Sequence, residues 1–372
     1  MKKMVIITAA LVLMLTSCQV IKNKFFKKNA FSVSMQKLDP TGWDAVELKY
    51  TGPVPGKNLL VKISPQAGNN WFSLQSGTNQ LLYSADNLSE CPYYRDNRGT
   101  VVLFPTPHNV KDGKYKWNGS NYFLKGKNDK EQRSLHGILY DAAWNFKPPK
   151  TDEKSAVLET WYELTEENPL FQAYPFSNKI ALRYILKQDR LRIEYEVLNT
   201  GSISMPYGFG LMPYFRIPGG NISNIKFECD IPQMLETSRH GISASGLSQV
   251  RGSRYHYFPA KTPDTEISKF YHRLLPESKV AVHFLPYKLE IWMIATGQFK
   301  FLGISKREKY PDFFSIAHTG CSPDAHNLYA AGHREISGLQ ILEPGQSDKG
   351  SIEYIIVYDQ PENEQAQAGE KK

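Results

Sequence analysis

The stretch that decides the fold class is Leu191-Arg192-Ile193-Glu194-Tyr195-Glu196-Val197-Leu198. Apolar and charged side chains alternate along it, and successive side chains of a β-strand point to opposite faces of a sheet. The stretch follows residues 179–186 across a short polar connection at 187–190, a pattern that predicts a β-hairpin. One face of this hairpin is therefore expected in a core and the other in solvent, as in antiparallel sheets.

The same two-residue period recurs along most of the chain. Further stretches of this kind lie at residues 47–50, 59–63, 100–104, 280–284, 289–295 and 352–358. The 21 tyrosines and 19 phenylalanines also favour pleated surfaces. No segment has the pattern of an amphipathic helix longer than about three turns. We therefore predict an all-β fold, a large antiparallel β-sandwich.

The N-terminus has the features of an export signal. Lys2 and Lys3 precede an apolar run at residues 5–15, which is too short to span a bilayer readily. The run ends in Leu15-Thr16-Ser17-Cys18, which resembles a lipobox, where the Cys18 thiol receives a diacylglyceryl group and the peptide is cleaved before it. An ordinary secretory signal with an incidental cysteine is the alternative. We predict a lipid-anchored cell-envelope protein, on the periplasmic side or at the outer membrane of a Gram-negative bacterium.

The charge distribution separates the N-terminal segment from the rest of the chain. Of the formal net charge of +8, six charges are lysines within the first thirty residues, which contain no acidic residue and leave +2 elsewhere. The basic balance therefore does not indicate a nucleic-acid partner. We predict a signal peptide at 1–17, a basic tether at 18–39, the sandwich domain at 40–358 and a polar tail at 359–372. The tether either faces anionic head groups or is a solvated linker.

The cysteines suit neither a metal site nor a disulfide framework. With Cys18 acylated, an odd number remains, Cys91, Cys229 and Cys321, and no CxxC pair occurs. Export permits one disulfide, which would leave one thiol single. We predict no metal and no cofactor.

Three segments have compositions that do not suit a buried strand. They combine glycine, proline, histidine and aromatic residues, and they lie at residues 96–113 with His136-Gly137, at 199–215, and at 317–327 with 342–346 behind it.

In this order the three segments resemble the aldose 1-epimerase family, whose members are galactose-mutarotase-like β-sandwich proteins. The family has an Arg-Gly-Gly stretch ending in Leu-Phe-Pro, a His-Gly pair followed by a tryptophan (here Trp144), and a Pro-Phe-Gly-Phe-Gly-x-His-Pro-Tyr-Phe segment. It also has a Glu-Pro segment leading to Pro-Asp-Ala-x-Asn, and its Tyr-Pro-Phe matches residues 174–176. The match runs from about residue 60 to residue 358. The resemblance implies α/β anomer interconversion of aldoses.

Two departures concern the groups that move protons. Opening a sugar ring needs an acid at the ring oxygen and a base at the anomeric hydroxyl. The resemblance assigns these roles to a histidine and a glutamate, whose positions here hold Met212 and Ala317. A thioether donates no proton, and a methyl group neither donates nor accepts one. The standard mechanism is therefore not expected.

Other residues are candidates for sugar contact or for rerouted proton transfer. Arg98 and His136 match the family's sugar-binding positions, Asp324 matches the aspartate of Pro-Asp-Ala, and His318 follows the lost base. We take His136, His318 and Asp324 as candidate catalytic residues, although His318, like His326, is equally suited to capping a loop. The candidate substrate-binding residues are Arg98, His136, Trp144, Met212, Asp324 and Asn327, with Trp144 either stacking on a sugar or packing in the core.

Three functional hypotheses remain open. The first is a carbohydrate-binding protein with weak or absent epimerase activity, and the second is an active aldose 1-epimerase that uses His136, His318 and Asp324. The third is a structural or partner-binding envelope β-sandwich. The first two imply a mono- or oligosaccharide ligand, and all three are compatible with a monomer attached to a membrane through Cys18.

Overall fold

The computed structural model describes residues 29–84, 99–124, 133–238, 243–276 and 278–359. Cys18, Cys91, Arg98 and the predicted signal peptide lie outside the described residues, as does the polar tail beyond residue 359. The strands in chain order are β1 (Phe31–Leu38), β2 (Trp43–Tyr50), β3 (Leu59–Ser64), β4 (Asn70–Ser76), β5 (Asn79–Gln80), β6 (Thr100–Leu103), β7 (Asn109–Lys111), β8 (Lys114–Trp117), β9 (Ser120–Phe123), β10 (Arg133–Leu135), β11 (Asn145–Phe146), β12 (Lys150–Thr151), β13 (Ala156–Leu164), β14 (Asn178–Leu186), β15 (Arg190–Asn199), β16 (Met205–Tyr207), β17 (Gly210–Arg216), β18 (Ile225–Cys229), β19 (Gln233–Thr237), β20 (Ser243–Gln249), β21 (Tyr257–Lys261), β22 (Ile267–His272), β23 (Val280–Phe284), β24 (Leu289–Ala295), β25 (Phe301–Lys306), β26 (Phe313–Thr319), β27 (Gln340–Leu342) and β28 (Ser347–Tyr358). Two short helices are α1 (Ala325–Ala330) and α2 (Arg334–Ser337).

The predicted hairpin lies in the middle of a ten-stranded sheet. β14 and β15 pair antiparallel with Leu186 opposite Leu191, and the sheet runs β11-β13-β14-β15-β28-β24-β23-β18-β21, with β12 paired to β13. Along β15 the side chains of every second residue from Leu191 to Val197 are buried, whereas those of Arg192, Glu194 and Glu196 are partly exposed. The alternation in the sequence thus gives this sheet one core face and one solvated face.

A seven-stranded sheet packs against the core face of the ten-stranded sheet. Its order is β20-β19-β22-β25-β26-β17-β6. Aromatic rings join the two layers: Phe227 of β18 lies 4.9 Å from Phe314 of β26, and Phe215 of β17 lies 6.4 Å from Phe284 of β23, measured between ring centroids. Two facing antiparallel sheets around a shared core form a β-sandwich, which confirms the predicted fold class.

The N-terminal strands form a third, five-stranded sheet in the order β1 to β5. It joins the same core, because Trp71 of β4 packs edge-on against Tyr354 of β28 at 4.8 Å between centroids. β1 pairs with β2 along its whole length, so the ordered fold includes Phe31–Leu38 and the predicted boundary at residue 40 is too late. The reason is local, since Phe31 is buried against Tyr50 and only the residues before it are rich in lysine.

Two further findings concern attachment and thiols. Within the part of the chain that the structure describes, no helix is long and apolar enough to cross a membrane. Cys229 and Cys321 are both free and buried, and burial raises the pKa of each thiol, that of Cys229 to about 12.

Candidate functional site

A cleft opens on the face of the seven-stranded sheet that points away from the sandwich core. Its cavity volume is about 120 Å³. The floor consists of residues from β17, β22, β25 and β26, and the wall is built by the segments that carry His108, Asn109 and His136. Other lining residues include the aromatic side chains of Tyr214, Phe270, Tyr310 and Phe313.

The centre of the floor is apolar. Leu211 pairs with His318 and Tyr214 with Ser315, a register that places Met212 opposite Ala317 on the neighbouring strand. Ala317 in turn pairs with Gly303, and Gly303 with Phe270. We call these four residues, Met212, Ala317, Gly303 and Phe270, the central row. Met212 and Ala317 also belong to a small apolar cluster with Val101, Leu103, Tyr214 and Phe313.

Two histidines form the polar part of the wall. The chain leaves β6, and the Phe104 carbonyl then accepts a hydrogen bond from the backbone N–H of Ile138 at 2.8 Å. The His108 carbonyl accepts another from the backbone N–H of His136 at 3.0 Å. These bonds bring the two distant segments together, and the imidazole centroids lie 6.3 Å apart.

Both histidines have left-handed backbone conformations, with φ of 63° at His108 and 69° at His136. For a residue with a side chain this conformation costs about 1–3 kcal/mol and persists only where the surrounding structure fixes it. The surrounding hydrogen bonds hold it in place. The same turn needs Gly137, because a Cβ there would collide with the Phe104 carbonyl.

The two imidazoles are neutral at physiological pH. Burial lowers the pKa of His136 to about 3, and burial together with the facing His136 lowers that of His108 to about 3. Among the described residues, His108 Nε2 and His136 Nδ1 have no hydrogen-bond partner. A neutral imidazole offers one donor and one acceptor, so the pair can exchange hydrogen bonds with hydroxyl groups of a ligand.

Comparison with known proteins decides the family of the chain. The family model described as aldose 1-epimerase matches residues 55–354. The chain belongs to the aldose 1-epimerase family. Among curated proteins, the uncharacterized protein YihR of Escherichia coli (strain K12) is 26% identical over 140 residues, which are 37% of this chain and 43% of that protein. The chain therefore matches less than half the length of this curated relative.

Solved structures agree on the fold. A galactose mutarotase-like protein from Clostridium acetobutylicum has a TM-score of 0.76 at 17% identity, over 88% of this chain and 99% of that one. Galactose 1-epimerase from Lactobacillus acidophilus NCFM has a TM-score of 0.67 at 15% identity, over 89% and 100% of the two chains. These likenesses identify the sandwich as galactose-mutarotase-like.

Of the residues predicted for the site of this aldose 1-epimerase family member, His136 and Met212 line the cleft, and so does Ala317 at the lost base position. His318 does not, because neighbouring side chains on a strand point to opposite faces. It is fully buried between Leu211 and Leu302 on the core face, and burial lowers its pKa to about 3. His318 is therefore separated from the cleft by the sheet itself.

Asp324 and Asn327 lie behind the cleft wall. The Asp324 backbone N–H donates to the Asn109 carbonyl at 2.8 Å, and its Oδ1 accepts from the Lys111 backbone N–H at 3.0 Å. Asn327 Nδ2 donates to the same Oδ1 at 2.7 Å and to the Lys114 carbonyl at 2.8 Å. Burial is the main influence on Asp324 and raises the pKa of its carboxyl group. Both residues thus tie α1 to the wall strands and do not line the cleft.

Trp144 and His326 pack in the interior. Trp144 is buried, with its ring centroid 6.1 Å from that of Tyr162. Of its two predicted roles, the structure therefore supports core packing and not stacking on a sugar. His326 Nε2 lies 3.1 Å from the Pro206 carbonyl oxygen, and its ring packs against Tyr115.

Sequence reasoning missed His108 and Phe270 as site residues. For His108 the available signal was its place at the end of the Phe104-Pro105-Thr106-Pro107 turn.

Proposed function

We propose that this protein binds carbohydrate in the cleft and performs the family reaction weakly or not at all. The observation that carries the proposal is the contrast within one small cavity. Two buried imidazoles present unpartnered nitrogens there, whereas the positions of the family's acid and base hold Met212 and Ala317.

The lining suits a sugar. A few convergent polar groups among apolar and aromatic side chains are typical of small-molecule sites. Phe270 packs edge-on against His108 with 4.5 Å between centroids, and Tyr310 stacks on Phe313 at 5.3 Å. Aromatic rings of this kind provide apolar surface for the C–H faces of a sugar.

The same lining is poor for proton transfer. A general base works best when its pKa lies near the operating pH. With pKa values of about 3, the imidazoles of His108 and His136 are weak bases, and in the neutral form they are weak acids. The runner-up function, an active epimerase with rerouted residues, would have to rely on this pair, because His318 and Asp324 do not line the cleft.

The proposed location is the cell envelope, with the protein attached through an acylated Cys18. Its support is the lysine-rich start, the apolar run and the lipobox-like ending. Replacing Cys18 with Ser should move the protein from the membrane fraction to the soluble or periplasmic fraction. Persistent sedimentation of the variant with membranes would rule out lipidation as the means of attachment.

The test of function uses the purified protein without its signal peptide. Isothermal titration calorimetry against mono- and oligosaccharides should detect saturable binding, and polarimetry of freshly dissolved α-glucose or α-galactose should relax at nearly the buffer rate. Fast relaxation would establish the runner-up function. Absence of binding to every sugar would favour the third hypothesis, a structural or partner-binding sandwich.

A further inference from the structure

A second row of the cleft floor consists of serines on three neighbouring strands. Ser268 of β22 pairs with Ser305 of β25, and Ser305 pairs with Ser315 of β26. Ser315 is also opposite Tyr214 of β17. All four line the cleft, and we call the three serines the serine row. With strands about 4.8 Å apart, the line from Tyr214 to Ser268 is about 14 Å long.

The serine hydroxyls have no evident structural task. Within the described residues, none of the three side chains has a hydrogen-bond partner, although Ser315 is only 3% exposed. Ser305 is half-buried and Ser268 is exposed, so these hydroxyls face the water that fills the cleft. Three hydroxyls side by side along the floor of a cleft are thus available to a ligand that lies over them.

An independent observation points to the same cavity. His108 and His136 are both more than nine-tenths buried, line this cleft and carry ring nitrogens without a partner among the described residues. They lie beside the central row, which packs closely here: a Cβ on Gly303 would be 3.3 Å from His108 Cε1 and 3.1 Å from Phe270 Cε1, so a side chain at this position would crowd both rings. The serine row is two residues further along each strand, about 6.7 Å away.

The distance between the two polar groups sets the size of the ligand. A single sugar ring held by the imidazoles leaves most of the serine row, which is about 10 Å long from Ser268 to Ser315, uncovered. Each serine hydroxyl both donates and accepts, which matches the hydroxyls of a second sugar unit. Phe313 and Tyr310 flank this part of the floor with stacked rings.

We propose that the cleft binds a glycan of at least two sugar units, one beside the imidazoles and the next over the serine row. This inference rests on the proposed carbohydrate binding. It assigns the serine row as a second sugar subsite.

The test compares calorimetric affinities within matched series: glucose, maltose and maltotriose; glucose, cellobiose and cellotriose; galactose and lactose. In at least one series the disaccharide should bind about tenfold or more tightly than its monosaccharide. For that series, Ser305→Ala should reduce the ratio of disaccharide to monosaccharide affinity about 3- to 10-fold, the effect of losing one or two hydrogen bonds. Ser32→Ala, on an exposed position of β1, is the matched control and should leave the ratio unchanged.

Thermal melting of each variant checks that it is folded, and Ser268→Ala provides a second position in the row. Equal affinity for mono- and disaccharides in every series, or an unchanged ratio in both row variants, would overturn the second subsite while leaving carbohydrate binding intact. If no sugar of any length bound, the proposed function would fail together with the subsite.

Discussion

The solvated face of the ten-stranded sheet and the cleft face of the seven-stranded sheet treat polar groups in opposite ways. On the ten-stranded sheet, cations and carboxylates pair across neighbouring strands, as in Lys147–Glu159 and Lys179–Glu163 at 2.7 Å and Arg192–Glu353 at 3.0 Å. Among the described residues that line the cleft there is no carboxylate at all. The buried Lys306 at its edge donates to the Arg307 and Tyr310 carbonyls, both at 2.7 Å.

This difference distinguishes polar groups that bond to other protein groups from polar groups that are available to a ligand. Charges on a solvated sheet face satisfy one another, and each exposed pair contributes little to stability. The two imidazoles of the cleft have lost water without gaining partners among the described residues, which costs free energy that a bound ligand can restore. The cleft is thus the face on which substitutions should affect binding, and the solvated face is the one on which they should not.

The largest expected effect comes from restoring the missing acid and base in the cleft. Met212→His with Ala317→Glu should raise the mutarotation rate, because each group typically contributes about 10²- to 10⁴-fold. The two positions face each other across neighbouring strands, so both new side chains would enter the same cavity. Polarimetry of α-glucose and α-galactose measures the rate.

Each single substitution is the control and should do much less, since a proton must arrive at one end of the opening bond as another leaves. A double variant that is folded and binds sugar yet stays at the buffer rate would contradict the assignment of these two positions.

The next largest effect concerns acid stability. The pKa values of His108, His136 and His318 are about 3 and that of His326 is about 4 in the folded protein, all lowered chiefly by burial from an ordinary value of 6.5. Above pH 6.5 both states are neutral and stability is constant. As pH falls below 6.5, the unfolded chain binds protons that the folded protein does not bind, so the free energy of unfolding decreases.

Each imidazole contributes about 1.4 kcal/mol per pH unit, and together they should remove several kcal/mol between pH 6 and pH 5. Urea unfolding at both pH values measures this loss, and His318→Phe should reduce it by the contribution of one proton. Carboxylates of the solvated face, such as Glu159, whose pKa the hydrogen bond from Lys147 lowers, stay charged in this window. Unchanged stability from pH 7 to pH 5 would show that these histidines protonate in the folded state.

A smaller effect is expected when the ligand-facing nitrogens of one histidine are removed. His136→Phe keeps an aromatic ring but loses the hydrogen bonds, which should weaken sugar binding by about 1–3 kcal/mol, or about 5- to 150-fold. Calorimetry with the tightest-binding sugar of the panel measures the change. Lys349→Ala, on the opposite face, should leave the affinity unchanged, and equal affinities of the His136 variant and the parent would exclude His136 from the site.

The strand pattern could be predicted from the sequence because alternation directly encodes which face is buried. Leu191 to Leu198 predicted the β14–β15 hairpin, and the family match assigned Met212 and Ala317 to the acid and base positions, which the structure places on the cleft floor. Proximity in sequence was misleading for His318, since one residue along a strand changes the face. Asp324 matched a family pattern, but its carboxylate accepts hydrogen bonds from Lys111 and Asn327. The bond from Lys111 joins distant segments, and no periodicity in the sequence predicts it. His108 and the serine row depend on the register of several strands, which only the folded sheet specifies.

The smallest effects belong to the solvated face, and they distinguish two kinds of ion pair there. Glu353 is mostly buried and accepts hydrogen bonds from Arg190 at 2.8 Å and Arg192 at 3.0 Å. Burial alone would raise its pKa, but these two guanidinium groups outweigh burial and lower it. Lys349 pairs with Glu196 at 3.1 Å while most of its side chain stays in water.

Glu353→Gln should therefore lower the free energy of unfolding at pH 7 by about 1–2 kcal/mol, since hydrogen bonds to charged groups are the stronger ones. Lys349→Ala should change it by less than about 0.5 kcal/mol, because an exposed pair is screened and gains little over hydration. The contribution of Glu353 should persist to about pH 4.5 and be lost as pH falls through its lowered pKa, below the interval from pH 6 to pH 5 in which the loss from the buried histidines is measured. Urea unfolding of both variants at pH 7 and pH 5 measures these differences. A loss for Lys349→Ala as large as that for Glu353→Gln would mean that exposure does not decide the strength of pairs on this sheet, and the contrast between the two faces would lose its physical basis.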